Sequence, residues 1–327
     1  MSVSIESQSG ELHSSSVPTV SVIMNCLNCE RYLKEAIDSV FAQTYGEWEI
    51  IFWEDKASKD NSEKIARSYG RKLRYFRSEV SLPLYGSRNL AVQKARGKYI
   101  AILDCDDIWL PEKLEGQVRL LESDNEIGLV YSDVISFNEK GKERRSFEFK
   151  KPYRGNIFSE LLFENFINTQ TVLIRKEVFD SLNTAFDGRL IMSGDYDAYL
   201  RISYKWKVDY VDKPLARYRV HKNSKSQTDG RKLIAIEIDL MIKNLMEVVS
   251  EFKKNYPDEI RLLKRRRDVQ LSLLDWKNRE ENRARKRLRV YIRDGIAYFI
   301  LYFLMYLPYR YVYNNCHRIY TKAIVAE

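Results

Sequence analysis

Tyr99-Ile-Ala-Ile-Leu-Asp104-Cys-Asp106-Asp107-Ile-Trp-Leu-Pro111 is the stretch on which the reading of this chain turns. A short apolar run ends abruptly in three carboxylates, and a proline suited to the first turn of a helix follows. Like charges a few ångströms apart disfavour joint ionisation, so such a cluster calls for a neutralising cation. Carboxylate oxygens suit hard divalent ions, and Mg²⁺ is ordinarily held by one or two carboxylates together with substrate phosphates. Capping of a helix that starts at Pro111 accounts for one acid but not for three.

Around that stretch, strand and helix patterns alternate at short spacing from residue 19 onward. The predicted strands are 19–25, 48–53, 73–76 and 99–103. The predicted helices are 31–42, whose Leu33, Ile37, Val40 and Phe41 form an apolar stripe, then 62–72, 87–95 with Gly97 as its stop, and 111–122. Further on come an extended segment at 128–138, a hairpin turn at Glu139-Lys-Gly-Lys142, helices at 158–165, 176–182 and 196–204, and strands at 171–175, 207–211 and 215–221. This order predicts an α/β domain with a parallel sheet covered by helices. Past residue 233 the strands stop, and 233–255 and 257–281 read as helices.

Composition bounds the function classes. The 327 residues are 44% hydrophobic and 13% aromatic, with 22 Tyr, which excludes a disordered or fibrous chain. Residues 231–327 hold 21 Lys and Arg against 12 Asp and Glu, so the whole +9 net charge lies in the last third. A basic tail beside a neutral body points to an anionic partner for the tail. Four cysteines, Cys26, Cys29, Cys105 and Cys316, are too few and too irregular for a disulfide framework, which suits a reducing cytoplasm. Cys26-x-x-Cys29 has no second pair at metal-ligand spacing and is not read as a zinc or redox motif. Residues 1–17 read as a polar, Ser-rich disordered tail without the basic and apolar regions of a signal peptide.

In an open α/β sheet, ligands bind where strands end. The turn after the first strand, Asn25-Cys-Leu-Asn-Cys-Glu-Arg-Tyr32, lacks the glycines of a dinucleotide loop, and no Walker lysine loop occurs. A nucleotide must therefore be held by side chains and a metal. Candidates at strand ends are Asn25, the Glu54-Asp55 turn, where a carboxylate accepts from a base N–H, and Arg88 in Ser87-Arg-Asn89, whose fork suits phosphate or a carboxylate.

Taken in order, Ser21-Val-Ile-Met-Asn25, Tyr32-Leu-Lys-Glu-Ala-Ile-Asp-Ser-Val40, Gln43-Thr-Tyr45, Trp48-Glu-Ile-Ile-Phe-Trp53, Ser87-Arg-Asn89, Gly97-Lys-Tyr-Ile-Ala-Ile-Leu-Asp104 and Trp109-Leu-Pro111 with Lys113 resemble the family-2 glycosyltransferases over about Thr19 to His221. The resemblance implies a GT-A fold, a Rossmann-like mixed sheet flanked by helices, over 18–230. A basic helical extension, 231–327, follows. It also implies a metal-dependent, inverting, hexosyltransferase-type enzyme that moves a sugar from a nucleotide-diphosphate donor, a UDP-sugar, to a hydroxyl of a glycan or lipid-linked glycan in surface-polysaccharide or lipopolysaccharide-type synthesis.

By that resemblance Asp104-Cys-Asp106 is the DXD motif that holds Mn²⁺ or Mg²⁺ on the diphosphate. Asn25 then lies beside the nucleoside, Arg88 near the DXD carboxylates or phosphates, and Glu54 or Asp55 at the base. His221, in Tyr218-Arg-Val-His221, completes the metal's shell. In Ser193-Gly-Asp195-Tyr-Asp197-Ala-Tyr-Leu-Arg201 the family's pair of acids is reduced to one. Asp195 is the general base, Asp197 its fallback, and Gly194 stands where an orienting acid is common. A nucleotidyltransferase is the enzymatic rival, but its glycine-rich basic loop is absent; a non-catalytic membrane or nucleic-acid-binding scaffold is the other alternative, because Gly194 breaks the acid pair.

The uncharged run 295–309 is rich in Tyr and flanked by Lys286, Arg287, Arg289, Arg293 and Arg310. At about 1.5 Å per residue it spans roughly 22 Å, short of a bilayer core of about 30 Å. Residues 290–313 are therefore expected to lie along an anionic membrane surface, peripheral on the cytoplasmic face, the alternative being that 295–309 packs as a buried or dimer-contact helix. The aromatic residues form one block rather than alternating with cations, so nucleic acid is not the expected partner.

Overall fold

The computed structural model describes residues 17–182, 184–222, 224 and 230–315. The tail expected over 1–17, save Val17, and Cys316 lie outside them. Among the described residues the chain runs β1 (Val20–Cys26), α1 (Glu30–Phe41), β2 (Trp48–Glu54), α2 (Ser62–Arg67), β3 (Leu73–Arg77), α3 (Leu84–Gln93), β4 (Tyr99–Ile102), β5 (Ile108–Trp109), α4 (Lys113–Ser123), β6 (Ile127–Asn138), β7 (Glu143–Arg145), α5 (Phe158–Phe163), β8 (Leu173–Arg175), α6 (Lys176–Asp180), α7 (Gly194–Lys205) and β9 (Lys207–Val220). Six α-helices follow among the described residues: α8 (Gly230–Val248), α9 (Phe252–Asn255), α10 (Pro257–Lys277), α11 (Glu281–Leu288), α12 (Ile296–Leu304) and α13 (Tyr309–Asn315).

The nine strands form one mixed sheet in the order β3-β2-β1-β4-β8-β6-β9-β5, with β7 paired to β6. β1 to β4 are mutually parallel, and β8 pairs antiparallel with both β4 and β6. The expectation of a parallel sheet thus holds for the first half, and the second half is mixed. β1, β2 and β4 are apolar on both faces because each face is covered by helices. Ile23, Ile51, Ile100 and Ile102 face one core, while Val22, Met24, Phe52 and Ala101 face the other, against Leu33, Ile37 and Val40 of α1.

Several boundaries differ from the sequence reading. Residues 207–211 and 215–221 belong to one strand, β9, bent by register shifts against β6 near Ser132 and Asp133. The helix expected from Pro111 begins at Lys113, after the two-residue β5, which is too short to carry a periodic signal. Gly97 does not stop α3, which ends at Gln93. A Cβ at Gly97 would lie 2.6 Å from the Ser21 backbone nitrogen, so a glycine is needed for the approach to β1.

Packing crosses the expected boundary at 230/231. Ile238, Met241, Ile242 and Leu245 of α8 and Ile260 and Leu263 of α10 share a core with β6, β8 and α7. Asn244 on α8 donates to Asp187 (2.8 Å) and Asp197 (2.9 Å), which ties the helix to the sheet domain. A separate apolar cluster starts at Val269 and joins Trp276, Leu288, Tyr291, Tyr298, Leu301 and Met305. The run 295–309 is not one helix: α12 stops at Leu304 and α13 begins at Tyr309. No helix among the described residues is long and apolar enough to cross a membrane.

Candidate active site

A cavity of about 1060 Å³ opens at the carboxyl ends of β1, β2 and β4. Asn25, Asp55, Asp104, Asp106, Asp195 and His221 all line it, although they are scattered over most of the sheet domain in sequence. Neither the Glu54 nor the Arg88 side chain lines it.

The carboxylates after β4 have separate surroundings. Arg88, almost wholly buried, donates from Nη2 to Asp104 Oδ1 (2.9 Å), and Gln170 Nε2 donates to Asp104 Oδ2 (3.0 Å). Asp106 Oδ2 lies 3.0 Å from His221 Nε2. Asp107 turns inward: it is fully buried and accepts the Arg219 backbone N–H at 2.7 Å, which anchors β9 beneath the site. Burial first, and then the neighbouring Asp106 and Asp104, push its carboxyl well above the usual range. The third acid of the cluster is thus a structural tether. Asp104, Asp106 and His221 do not form one tight group, because the Asp104 oxygens meet Arg88 and Gln170 while Asp106 meets His221.

The side chains expected near a nucleoside are also distinguished by their partners. Asn25 presents buried Nδ2 and Oδ1 atoms that find no hydrogen-bond partner among the described residues. A buried amide in that state is fitted for a ligand's polar edge. Asp55 accepts from Ala57 N (2.8 Å), Leu82 N (3.3 Å) and the Ser81 hydroxyl. Burial raises its pKa, but these donors outweigh it and keep the carboxyl below its ordinary value. Glu54 is sealed under Tyr75 and Arg77, away from the cavity. Of the two acids in the turn, Asp55 is the one that lines the cavity.

Asp195 sits in the first turn of α7 and lines the same cavity, and adjacent residues Thr169 and Gln170 bond it and Asp104 respectively. Its Oδ1 accepts from Tyr85 Oη (3.2 Å) and Tyr196 N (2.7 Å), and its Oδ2 accepts from the Thr169 hydroxyl. A carboxylate offers about four lone-pair sites, so three bonds leave one acceptor position on Oδ2. Asp197 is fully buried, paired with Arg201 (2.9 Å) and bonded to Asn244, and it does not reach the cavity. Two residues along the helix from Asp195, it faces the domain interior instead.

Sequence reasoning missed Tyr85, Thr169 and Gln170. Thr169 and Gln170 lie in a polar run, Asn168-Thr-Gln-Thr171, whose short 3₁₀ turn is capped by the Asn168 side chain. Trp109 Nε1 donates to the Gln170 carbonyl (2.9 Å), so a buried indole sets the position of the Asp104 partner. Only the clustering of polar residues ahead of an apolar strand marked this run in sequence.

Residues 21–182 match the family model described as glycosyl transferase family 2. An uncharacterized glycosyltransferase of Methanocaldococcus jannaschii is 34% identical over 209 residues, which cover 62% of this chain and 71% of that protein. The chain belongs to glycosyltransferase family 2. Another family relative, an Escherichia coli UDP-Glc:α-D-GlcNAc-diphosphoundecaprenol β-1,3-glucosyltransferase, is 26% identical over 238 residues, covering 72% of this chain and 87% of that one.

Solved structures place the fold. Residues 1–349 of Staphylococcus aureus TarS, in complex with UDP-GlcNAc, superpose with a TM-score of 0.61 at 17% identity, covering 84% of this chain and 81% of that one. The Pyrobaculum calidifontis mannosyltransferase PcManGT, in complex with GDP-Man and Mn²⁺, gives 0.57 at 16% identity, covering 94% and 86%. The sheet is a GT-A sheet, and the chain's family makes it a glycosyltransferase.

Proposed function

We propose that this glycosyltransferase is metal-dependent and inverting, and moves a sugar from a UDP-sugar to a hydroxyl of a lipid-linked glycan. The observation that carries the reading is the facing of Asp106 and His221, 3.0 Å apart, toward a cavity that Asp195 also lines. Carboxylate oxygen suits Mg²⁺ or Mn²⁺, and the imidazole favours a transition ion, so the donor set fits Mn²⁺. Asp106 and His221 would hold that ion, with Asp104 beside the diphosphate. When bound, it neutralises charge that develops on the departing diphosphate.

The chain's own residues supply the rest. Asn25 and Asp55 orient the nucleoside. Arg88 and Gln170 hold Asp104 from both sides and so fix the wall against which the diphosphate lies. Asp195, held by Tyr85, Tyr196 and Thr169, takes the acceptor hydroxyl's proton on its remaining Oδ2 site. The acceptor oxygen then bonds to the anomeric carbon as the carbon's bond to the diphosphate oxygen breaks, inverting that centre.

The acceptor side is supported by the far end of the cavity. Ile234, Ile238 and Met241 of α8 and Leu263 of α10 line it together with Arg266. An apolar wall with one guanidinium suits an acceptor that joins a lipid to a phosphate. Outside, α12 buries Tyr298 and Leu301 but leaves Ile296, Phe299 and Phe303 exposed beside the basic α11. That amphipathic surface is consistent with residence on an anionic bilayer.

Release of nucleoside diphosphate from a panel of UDP-, GDP-, CDP- and TDP-sugars, with Mn²⁺ and with chelator, tests the reading. Turnover with at least one donor that is lost on chelation and in Asp106→Ala is expected. Turnover in chelator at the Mn²⁺ rate overturns the metal dependence.

A further inference from the structure

Cys26, Cys29 and Cys105 bring their Sγ atoms within 4.8 Å of one another. All three line the wall of the cavity, where no part of the glycosyl-transfer chemistry uses them. Cys26 is the last residue of β1, Cys29 the N-cap of α1, and Cys105 follows β4, the strand paired to β1. The first two cysteines alone gave no metal motif. The sheet supplies the third from a distant part of the chain.

The convergence is built into the backbone. Asn28, at φ +57°, turns the chain back between Cys26 and Cys29. Its N–H donates to Ser58 Oγ (3.1 Å), its Oδ1 accepts Lys59 N–H (2.8 Å), and Cys29 N–H donates to Ser62 Oγ (3.0 Å). Cys26 and Cys105 are buried, and Cys29 is partly open, which leaves a way in from the cavity.

We propose that Cys26, Cys29 and Cys105 form a binding site for a thiophilic cation, Zn²⁺, separate from the carboxylate and imidazole pair of Asp106 and His221. Thiolate sulfur selects Zn²⁺ or Cu(I) over Mg²⁺ and Mn²⁺, so the two neighbouring sites differ in the ion they take. Three thiolates leave the fourth tetrahedral position to water. Each S–H gives its proton to solvent as a metal–sulfur bond forms, and no electron changes hands. Occupancy ties the β1–α1 turn to the Asp104-Cys-Asp106 segment, joining two walls of the cavity through one ion.

The test uses the reduced, metal-stripped full chain titrated with Co²⁺ as a spectroscopic probe. Thiolate-to-cobalt charge-transfer absorption is expected, saturating at one ion per chain and displaced by Zn²⁺. Cys105→Ser removes it, whereas Cys316→Ser and Asp106→Asn retain it. In wild-type protein, Zn²⁺ at about ten times its dissociation constant slows alkylation of the three cysteines about tenfold, read peptide by peptide, and Mg²⁺ does not. Absence of the absorption, its persistence in Cys105→Ser, equal alkylation with and without Zn²⁺, or recovery of a disulfide among these thiols in place of the protected state overturns the proposal. None of these readouts needs a sugar donor, so failure here is distinct from failure of the transferase mechanism.

Discussion

The ring of Tyr85 occupies the space in which residue 194 would carry a side chain: a Cβ on Gly194 would lie 2.5 Å from Cδ2 and Cγ of that ring. The Tyr85 hydroxyl, with one proton to give, lies within hydrogen-bond reach of Asp195 Oδ1 at 3.2 Å and of the Met192 carbonyl at 3.1 Å. Where the resemblance leads one to expect an acid beside the proposed base, this chain has a glycine that admits a tyrosine. The orienting contact that the sequence lacks at 194 is thus delivered from α3.

Tyr85→Phe is expected to lower kcat while leaving KM for the donor nearly unchanged. A hydrogen bond to a charged group is worth about 1.5–3 kcal/mol, or roughly ten- to hundredfold in rate. Steady-state kinetics check this, and a change confined to KM would assign Tyr85 to donor binding. Gly194→Ala overpacks the same contact and is expected to cost about 1–3 kcal/mol of stability, measured by urea unfolding.

Asp106→Asn and His221→Ala are both expected to weaken Mn²⁺ binding in the presence of nucleoside diphosphate, with Asp106 the larger effect because it carries the charge. Calorimetric titration of Mn²⁺ measures both. Unchanged affinity in His221→Ala would assign the imidazole to holding Asp106 alone.

Lys113 is fully buried at the start of α4, with Nζ on Gln117 Oε1 (2.7 Å) and the Val172 carbonyl (3.2 Å). Burial holds its pKa well below the ordinary 10.5. The folded state therefore binds fewer protons than the unfolded chain between that lowered value and the ordinary one, and folding is favoured as pH rises through this window. Relative to Lys113→Met, wild-type protein should gain stability from pH 7 to pH 10 in paired urea titrations. A difference that stays flat with pH contradicts the buried, displaced ammonium.

Asn244→Leu removes the donor shared by Asp187 and Asp197, both buried. Each carboxylate keeps its arginine, Arg189 or Arg201, but the lost hydrogen bonds to charged groups cost about 1.5–3 kcal/mol, so the melting temperature of the whole sheet domain should fall by several degrees. A melt in which only helical signal is lost would separate α8 from the sheet domain's cooperative unit.

Phe299→Glu with Phe303→Glu alters the exposed face of α12 without touching Tyr298 or Leu301 beneath it. Co-sedimentation with anionic vesicles should drop at least about tenfold, since two buried aromatic contacts of roughly 1.5 kcal/mol each exceed that threshold. Binding that instead depends only on salt would assign the attachment to Arg and Lys.

The strands β1, β2 and β4, the first helix and the acids after β4 were all legible in the residue pattern. Apolar runs buried on both faces, a periodic stripe and massed carboxylates are local signals, and local signals survive without a fold. Neighbours brought from afar decided everything else. Asp55 rather than Glu54 faces the cavity because β3 covers Glu54 with Tyr75 and Arg77. Asp197 is withdrawn because Arg201 and Asn244 enclose it, and Asp107 becomes a tether because β9 crosses beneath it. Tyr85, Thr169 and Gln170 entered the site only when α3 and the 168–171 turn closed around α7 and β4. A sequence states which side chains can do chemistry. Which of them keep an open lone pair is settled by the hydrogen bonds that long-range packing imposes, and those exist only in the folded chain.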